Sequence, residues 1–208
     1  MGREPTMKIM GFTASPRKKG NTAWIVDKIL EGAKEQGAET QSWYFSDLDV
    51  KPCLSGYGCR QGDLTGGSAS RCIIEDDMQK IYDALERAYA LVLGSPVYMG
   101  QMSAQAKIFT DRLFGASGQY QPRFHPQFKE KDAPNKKLIL VFDQGNPDSG
   151  KFQVYFDYTK SMFLMLEFDV KEVQVVAGMR NGPAHERKDL HTVMKDIGSS
   201  LVSEGSPE

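Results

Sequence analysis

The feature that most constrains the fold of this chain is a regular alternation of strand-like and helix-like stretches. Short apolar runs predict five strands, at residues 7–13, 39–46, 89–94 (the start of YALVLGSPVY), 136–145 and 169–178. Apolar residues at helical spacing predict five helices, at residues 21–37, 76–88, 103–115, 149–168 and 185–204. Strands that alternate with helices in this way form a parallel sheet with helices on both faces. The sequence therefore predicts an α/β fold in three layers.

Two of these strands give further information about the sheet. The second, ETQSWYFS, is more polar than the others, which favours a place near a sheet edge. The third begins as the continuous apolar run YALVL, and we expect it to stop at Gly94. Sheets of this kind bind ligands at the carboxyl ends of their strands, near the point where the strand order reverses. We therefore expect a ligand site among the loops that follow the strands.

Length and composition indicate one domain and exclude several classes of partner. A chain of 208 residues can form a single well-buried domain, 1–208, in which residues 1–6 are expected to be a flexible extension. Its net charge of −1 gives no broad attraction to nucleic acid or to an anionic membrane, and we expect it to bind neither. The N-terminal stretch lacks the apolar core of a signal peptide, and three cysteines suit a reducing compartment. We therefore expect a cytoplasmic protein.

The loop after the first strand, TASPRKKGNT at residues 13–22, has the chemistry of an anion site. It carries hydroxyl groups, an amide and three cations where the backbone N–H groups of a helix begin, and a phosphate is the natural occupant. Asn21 stands where a nucleoside-triphosphate P-loop has its lysine, and the glycine pattern of dinucleotide-binding turns is missing. Ser, Asn and Thr are also good helix caps, so a capped helix beside solvated lysines is the structural alternative.

The loops after the third and fourth strands are weaker signals. Residues 94–107, GSPVYMGQMSAQAK, present apolar surface on a backbone constrained by Pro96 and two glycines, which suits a planar heteroaromatic ring. Residues 142–150, FDQGNPDSG, offer backbone and amide groups. Each of these two loops taken alone is more simply a packed turn. Three signals at one end of one sheet favour a single site.

The segments SPRKKGNT, CIIEDDM and GSPVYMGQMSAQAKIFTDR resemble the NADPH-dependent FMN reductase and iron–sulfur flavoprotein branch of the flavodoxin-like family. The resemblance runs from about Met7 to Arg112, and the order of the elements agrees to the end of the chain. It implies a three-layer flavodoxin-like fold, with a five-stranded parallel sheet of order 2-1-3-4-5, and a bound FMN. It also implies a homodimer or homotetramer, with the flavin close to a subunit boundary.

The resemblance assigns roles to residues in all three loops. It implies that four residues of the first loop hold the FMN phosphate: Ser15, Arg17, Asn21 and Thr22. It implies that five residues of the second loop border the isoalloxazine ring: Pro96, Val97, Tyr98, Met99 and Gly100. Gln144 and Gly145 of the third loop would approach the ring from its other side.

All three cysteines lie in one stretch, PCLSGYGCRQGDLTGGSASRC at residues 52–72. Family members with a cluster resemble C-x2-C-x2-C followed by a fourth Cys. This chain has Cys53, Gly56 and Cys59 at the first three positions and Cys72 at the fourth. A [4Fe–4S] cluster normally takes four thiolates, so we expect no stable cluster, with these three cysteines as its ligands if one forms. A redox-active cysteine pair lacks its tight spacing here, and a zinc site lacks a fourth ligand nearby.

From the resemblance we expect an FMN-dependent oxidoreductase of the NAD(P)H-dependent FMN reductase type. A reduced nicotinamide would pass a hydride to the flavin, which would reduce a small acceptor such as a flavin, a quinone, a nitro- or azo-aromatic or a metal. No side chain is assigned as a general acid or base. The alternative is an iron–sulfur flavoprotein that transfers electrons to a protein partner through a cluster at the cysteine loop. The aromatic stretch 114–128 is expected to cover the flavin, reach a neighbouring subunit or seal an edge of the core.

Overall fold

The computed structural model describes residues 7–55, 72–113 and 135–203. In these ranges the strands are β1 (Lys8–Thr13), β2 (Glu39–Tyr44), β3 (Ala90–Tyr98), β4 (Gln101–Met102), β5 (Lys137–Asp143) and β6 (Asp169–Val176). The helices are α1 (Asn21–Glu35), α2 (Met78–Arg87), α3 (Ala104–Leu113), α4 (Gln153–Met165) and α5 (Lys188–Ser203). Two short 3-10 helices cover Phe45–Asp47 and Ala184–Glu186.

The long strands form a parallel sheet in the order β2-β1-β3-β5-β6. The two-residue strand β4 pairs antiparallel with the end of β3 and lies off this path. With β4 set aside, the order is the predicted 2-1-3-4-5, and the flavodoxin-like topology is confirmed. The polar strand β2 lies at an edge, as predicted. The strand order reverses between β1 and β3, so the carboxyl ends of these strands are the expected place for a ligand.

The third strand does not stop at Gly94, as the sequence predicted, but continues to Tyr98. β1 ends opposite Gly94, whereas β5 keeps pairing with β3 as far as Pro96. Pro96 has no backbone N–H to donate, and a strand tolerates it here because β1 has already ended. The end of β3 then turns back into β4 through Met99 and Gly100, both of which have positive φ. Two such residues form the tight hairpin turn that strand twist favours.

Apolar side chains cover both faces of the sheet, as a parallel sheet requires. On one face the strands pack against α2, α3 and α4, and Phe12 stacks on Phe109 at 5.1 Å between ring centroids. On the other face they pack against α1 and α5. These two helices touch backbone to backbone, because a Cβ at Gly198 would lie only 1.8 Å from the carbonyl oxygen of Ile29. A Cβ at Gly32 would lie 2.1 Å from the carbonyl oxygen of Lys195.

Three predictions fall outside the described residues. They concern the extension at residues 1–6, the thiol of Cys59 and the aromatic stretch 114–128, and they stay predictions. Within the described ranges, no helix is both long enough and apolar enough to cross a membrane.

Candidate functional site

The loop between β1 and α1 leaves the start of α1 open to an anion. Gly20 precedes the helix with extended backbone (φ −88°, ψ 178°), and no side chain of the described residues caps the helix. The backbone N–H groups of Asn21, Thr22 and Ala23 therefore open the helix uncapped. Such groups, together with the positive end of the helix dipole, form an anion site that suits phosphate.

Ser15 and Arg17 shape this loop. The buried Ser15 Oγ accepts a hydrogen bond from the Arg17 backbone N–H at 3.2 Å, and the Arg17 carbonyl accepts one from Gly20 at 3.0 Å. A Cβ at Gly20 would lie 3.7 Å from Arg17 Nε, so the guanidinium group lies beside the start of α1. Arg17 has no ion-pair partner among the described residues, whereas Lys18 pairs with Asp47. Arg17 is thus available to an anion.

The side chains of Asn21 and Thr22 already contact protein groups. Asn21 Oδ1 accepts a hydrogen bond from the Ala184 backbone N–H at 3.0 Å. The Thr22 hydroxyl donates to Oδ1 of Asp143, at the end of β5. Burial raises the pKa of the Asp143 carboxyl, although the Thr22 hydrogen bond and the charge of Arg17 act in the opposite direction. The backbone N–H groups of these two helix residues are therefore better placed for a phosphate than the Thr22 hydroxyl is.

A cavity of about 410 Å³ lies at the ends of β3 and β5. This volume is within the range of small-molecule sites, roughly 300–1,000 Å³. Five of the predicted ring residues line the cavity: Val97, Met99, Gly100, Gln144 and Gly145. Pro96 and Tyr98 are not among its lining residues, since Pro96 is buried in β3 and Tyr98 is 45% exposed. The second and third loops thus meet in one site.

The hairpin after β3 is supported by the start of α4. A Cβ at Gly100 would lie 3.1 Å from the ring of Phe152, so only glycine fits this close approach comfortably. The Tyr155 hydroxyl accepts a hydrogen bond from the Met102 backbone N–H at 3.1 Å. Phe152 itself lines the cavity. An aromatic ring and two apolar side chains, Val97 and Met99, therefore form one wall.

A second, polar wall of the cavity includes residues that the sequence did not reveal. Arg180 and Asn181, in the loop after β6, line the cavity beside Gln144. A Cβ at Gly145 would lie 2.9 Å from Arg180 Nε, so the arginine side chain lies directly against this glycine. Arg180 has no ion-pair partner within the described ranges. The expectation that ligands bind at strand ends applies to β6 as well, and following it there would have found both residues.

Backbone hydrogen bonds hold the polar wall together. The Met179 N–H donates to the Gln144 carbonyl at 3.1 Å, and the Gly178 N–H donates to the Asn146 carbonyl at 2.9 Å. Gln144 Nε2 donates to the Asp148 carbonyl at 2.6 Å. Gln144 Oε1 is buried and has no hydrogen-bond partner among the described residues. A buried acceptor without a partner destabilises a protein, and an N–H group of a ligand would relieve that cost.

The cysteine loop is closed at its base by a buried ion pair, which we call the Asp76 clamp. Both carboxylate oxygens of Asp76 accept hydrogen bonds from Arg112, at 2.6 and 3.1 Å, and the two side chains are 0% and 1% exposed. The carboxylate also accepts the backbone N–H groups of Lys51 at 2.9 Å and Met78 at 3.0 Å. Burial opposes the charge of Asp76, but these hydrogen bonds outweigh it and keep the pKa of the carboxyl below its usual value.

Two of the three cysteines lie near this clamp along the chain. Cys53 is exposed, Cys72 is half-buried, and both are free thiols. Gln79 Nε2 donates to the Cys72 carbonyl at 3.0 Å and so fixes the backbone there. In the described part of the chain, no three potential metal ligands come together. The third thiol, Cys59, lies outside that part.

Comparisons with known proteins show the family of this chain and support its fold. The family model for NADPH-dependent FMN reductase matches residues 7–141. An iron–sulfur flavoprotein of Methanosarcina thermophila is 41% identical over 106 residues, which cover 51% of this chain and 52% of that protein. The matched part of the chain thus spans about half the length of such curated relatives.

Solved structures with low sequence identity support the fold. The NAD(P)H:quinone oxidoreductase from Methanothermobacter marburgensis has a TM-score of 0.71 at 16% identity, covering 98% of this chain and 100% of that chain. An FMN-dependent NADH-azoreductase from Bacillus anthracis, solved in complex with FMN, has a TM-score of 0.63 at 14% identity, covering 93% and 99%. Since the family model matches more than half of the sequence, this chain belongs to the NADPH-dependent FMN reductase family.

Proposed function

We propose that this protein binds FMN and transfers electrons through it. The observation that carries the proposal is a cavity with one apolar wall and one polar wall, at the same sheet end as an uncapped helix start. When bound, FMN supplies the redox chemistry, because it can take a hydride from a reduced nicotinamide and pass electrons to an acceptor. The protein supplies binding, orientation and electrostatics.

The first loop would bind the phosphate. The backbone N–H groups of Asn21 and Thr22 open α1 and the Arg17 side chain lies beside Gly20, so a dianion at this helix start would be favoured by hydrogen bonds and by charge. Ser15 keeps the loop in this shape through its hydrogen bond to the Arg17 backbone. Arg17 is therefore the side chain whose removal should weaken phosphate binding most directly.

The cavity would bind the ring. Val97, Met99 and Phe152 provide the apolar surface on which a planar heteroaromatic can lie. Gln144 and Arg180 provide an acceptor and a cation for its polar edge. Met99 is fully exposed at the hairpin tip, so it gains contacts if a ligand is present.

Two forms of this function differ in where the electrons go. Relatives at 41% and 38% identity are named iron–sulfur flavoproteins, which favours an electron-transfer protein with a cluster at the cysteine loop. These names weigh against the expectation that no cluster forms, and the Asp76 clamp provides a rigid base for such a loop. We propose this form first. The family model supports an NAD(P)H-dependent reductase of a small acceptor as the second candidate.

A fluorescence titration with FMN and with riboflavin tests the proposed binding mode, because the two ligands differ only in the phosphate. We expect FMN to bind about 10–100-fold more tightly, from the helix start and one charge-assisted contact. Arg17→Met should remove about tenfold of this preference. Lys18→Met is the matched control and should leave it unchanged, since Lys18 pairs with Asp47. Equal affinity for both ligands in the unmodified protein would refute the phosphate site.

An absorption spectrum of anaerobically purified protein, with iron and acid-labile sulfide assays on the same sample, separates the two forms. Flavin bands with about four irons per chain support the electron-transfer form. Flavin bands without iron support the reductase. A colourless protein that cannot be reconstituted with FMN would refute both.

A further inference from the structure

A buried carboxyl lies beside the anion site, and the proposed function does not use it. Asp143 is the last residue of β5 and is 6% exposed. Its partner Thr22 is 2% exposed and is the second residue of α1, where the uncapped N–H groups lie. The hydrogen bond between them joins residues that are 121 positions apart in the sequence. It therefore links the anion site to the strand that leads into the cavity.

Among the described residues, few groups around Asp143 compensate a negative charge. Its neighbours in the sheet are Pro96 on β3 and Val176 on β6, and neither is charged. α1 contributes the Thr22 hydroxyl, and the loop before α1 contributes Arg17, whose charge acts from an exposed position. Burial raises the pKa of Asp143 against these two effects and a hydrogen bond from its own backbone N–H. The neutral carboxyl is thus accessible at a higher pH than for an ordinary aspartate.

An ionised Asp143 and a bound phosphate would compete for the same groups. Both are stabilised by the positive end of α1 and by Arg17, and two negative charges in one site repel each other. The hydroxyl of Thr22 can donate only one hydrogen. While that hydrogen goes to the Asp143 carboxylate, it cannot go to a phosphate oxygen. A neutral Asp143 can instead donate its own hydrogen to Thr22 Oγ1, and the threonine hydrogen is then free for the ligand.

We propose that Asp143 couples FMN binding to the uptake of one proton from solvent. FMN binds preferentially to the form in which Asp143 is neutral and the Thr22 hydroxyl donates to the phosphate. Asp143 is thus a positioning residue that acts through Thr22 and does not itself contact the ligand. This inference rests on the proposed function and specifies how its phosphate site responds to pH.

The test compares the FMN dissociation constants of the wild type and Asp143→Asn between pH 5.5 and 9. An asparagine can donate to Thr22 at every pH, so it imitates the neutral carboxyl. We expect the ratio of the wild-type constant to that of D143N to rise with pH, by up to about tenfold per unit between the free and bound pKa values. The FMN phosphate has its own titration near pH 6, but it is common to both proteins and cancels in the ratio.

Calorimetry on the wild type gives a second measurement that does not depend on the variant's folding. At pH 8 the phosphate is fully ionised, so proton uptake measured in two buffers of different ionisation enthalpy belongs to the protein. We expect a net uptake of up to one proton with FMN, and a smaller one with riboflavin. Thr22→Val should weaken FMN binding at low pH and reduce the proton uptake on binding, because valine lacks the hydroxyl that joins Asp143 to the phosphate.

The outcomes separate this inference from the proposed function. FMN binding with a ratio that does not change between pH 5.5 and 9, together with no proton uptake beyond that of the FMN phosphate across the same range, overturns the role of Asp143 and leaves the proposed function intact. Failure of the wild type to bind FMN at every pH overturns both.

Discussion

The Asp76 clamp allows a sharp test, because it is a buried ion pair with four donors on one carboxylate. Asp76→Asn keeps the size of the side chain but removes the carboxylate that pairs with Arg112, whose buried side chain (1% exposed) then keeps the Lys51 carbonyl as a neutral partner. Breaking a buried pair from one side costs about 3–5 kcal/mol. For a protein of this length, each kcal/mol lowers Tm by about 2–4 °C. The expected fall is therefore roughly 6–20 °C.

Thermal unfolding monitored by circular dichroism measures this effect, and Asp111→Asn is the matched control. Asp111 pairs with Lys107 on the same helix as Arg112, but both side chains are about half exposed, at 45% and 54%. An exposed pair of this kind contributes at most about 1 kcal/mol. The double variant Asp76→Asn with Arg112→Met should recover part of the lost stability, because no unpaired charge is then buried. Equal Tm changes in the two single variants would refute the reasoning.

The same clamp predicts a pH dependence and a change in thiol reactivity. The pKa of the Asp76 carboxyl is lowered in the folded state. The ion pair therefore contributes to the free energy of unfolding at pH values above the pKa of an unfolded aspartate, about 3.9. The contribution is lost as the pH falls through the lower folded-state value. Asp76→Asn should therefore be destabilised at neutral pH and approach the wild type in acid. Because the clamp closes the cysteine loop, the half-buried Cys72 should react faster with a thiol reagent in this variant.

Three further predictions concern the cavity and the surface. Arg180→Met should weaken FMN binding about fivefold in a fluorescence titration, as one exposed charged contact is lost, and Arg180→Lys should weaken it less. Met99→Asn should raise Tm by a few degrees, because asparagine tolerates the positive φ of 50°, while FMN affinity falls. Tyr158, which is 67% exposed on α4, should lie in the interface of the predicted homo-oligomer; Tyr158→Glu should then yield monomers in sedimentation. An unchanged oligomer would place the interface elsewhere.

Local patterns in the sequence predicted the sheet and its helices, because burial imposes a period on apolar residues whatever their partners are. They placed β2 at an edge from its polarity and brought Val97 and Gln144 to one end of the sheet. They failed at the end of β3, where Pro96 is acceptable only because β1 has already stopped. Where β1 ends relative to Pro96 depends on how the two strands pair, and a local sequence pattern does not predict that pairing.

Contacts between distant residues were beyond sequence reasoning for the same reason. The hydrogen bond from Thr22 to Asp143 spans 121 positions, and the pairing of Asp76 with Arg112 spans 36. The motif CIIEDDM supported the resemblance, but its first aspartate gained a physical role only when Arg112 was seen to meet it. Arg180 could not be assigned in this way, because it lies beyond the residues that the family resemblance covers.

The glycines at the crossing of α1 and α5 have a consequence for variation among related sequences. The two backbones touch at Gly32 and Gly198, so a shift of α5 would displace α1, and α1 begins at the candidate anion site. A small change in the position of α5 on the sheet would therefore move the backbone N–H groups at the start of α1. Substitutions on α5, which does not line the cavity, can thus change the affinity for a ligand. Their effect on binding would be easy to mistake for an effect on stability alone.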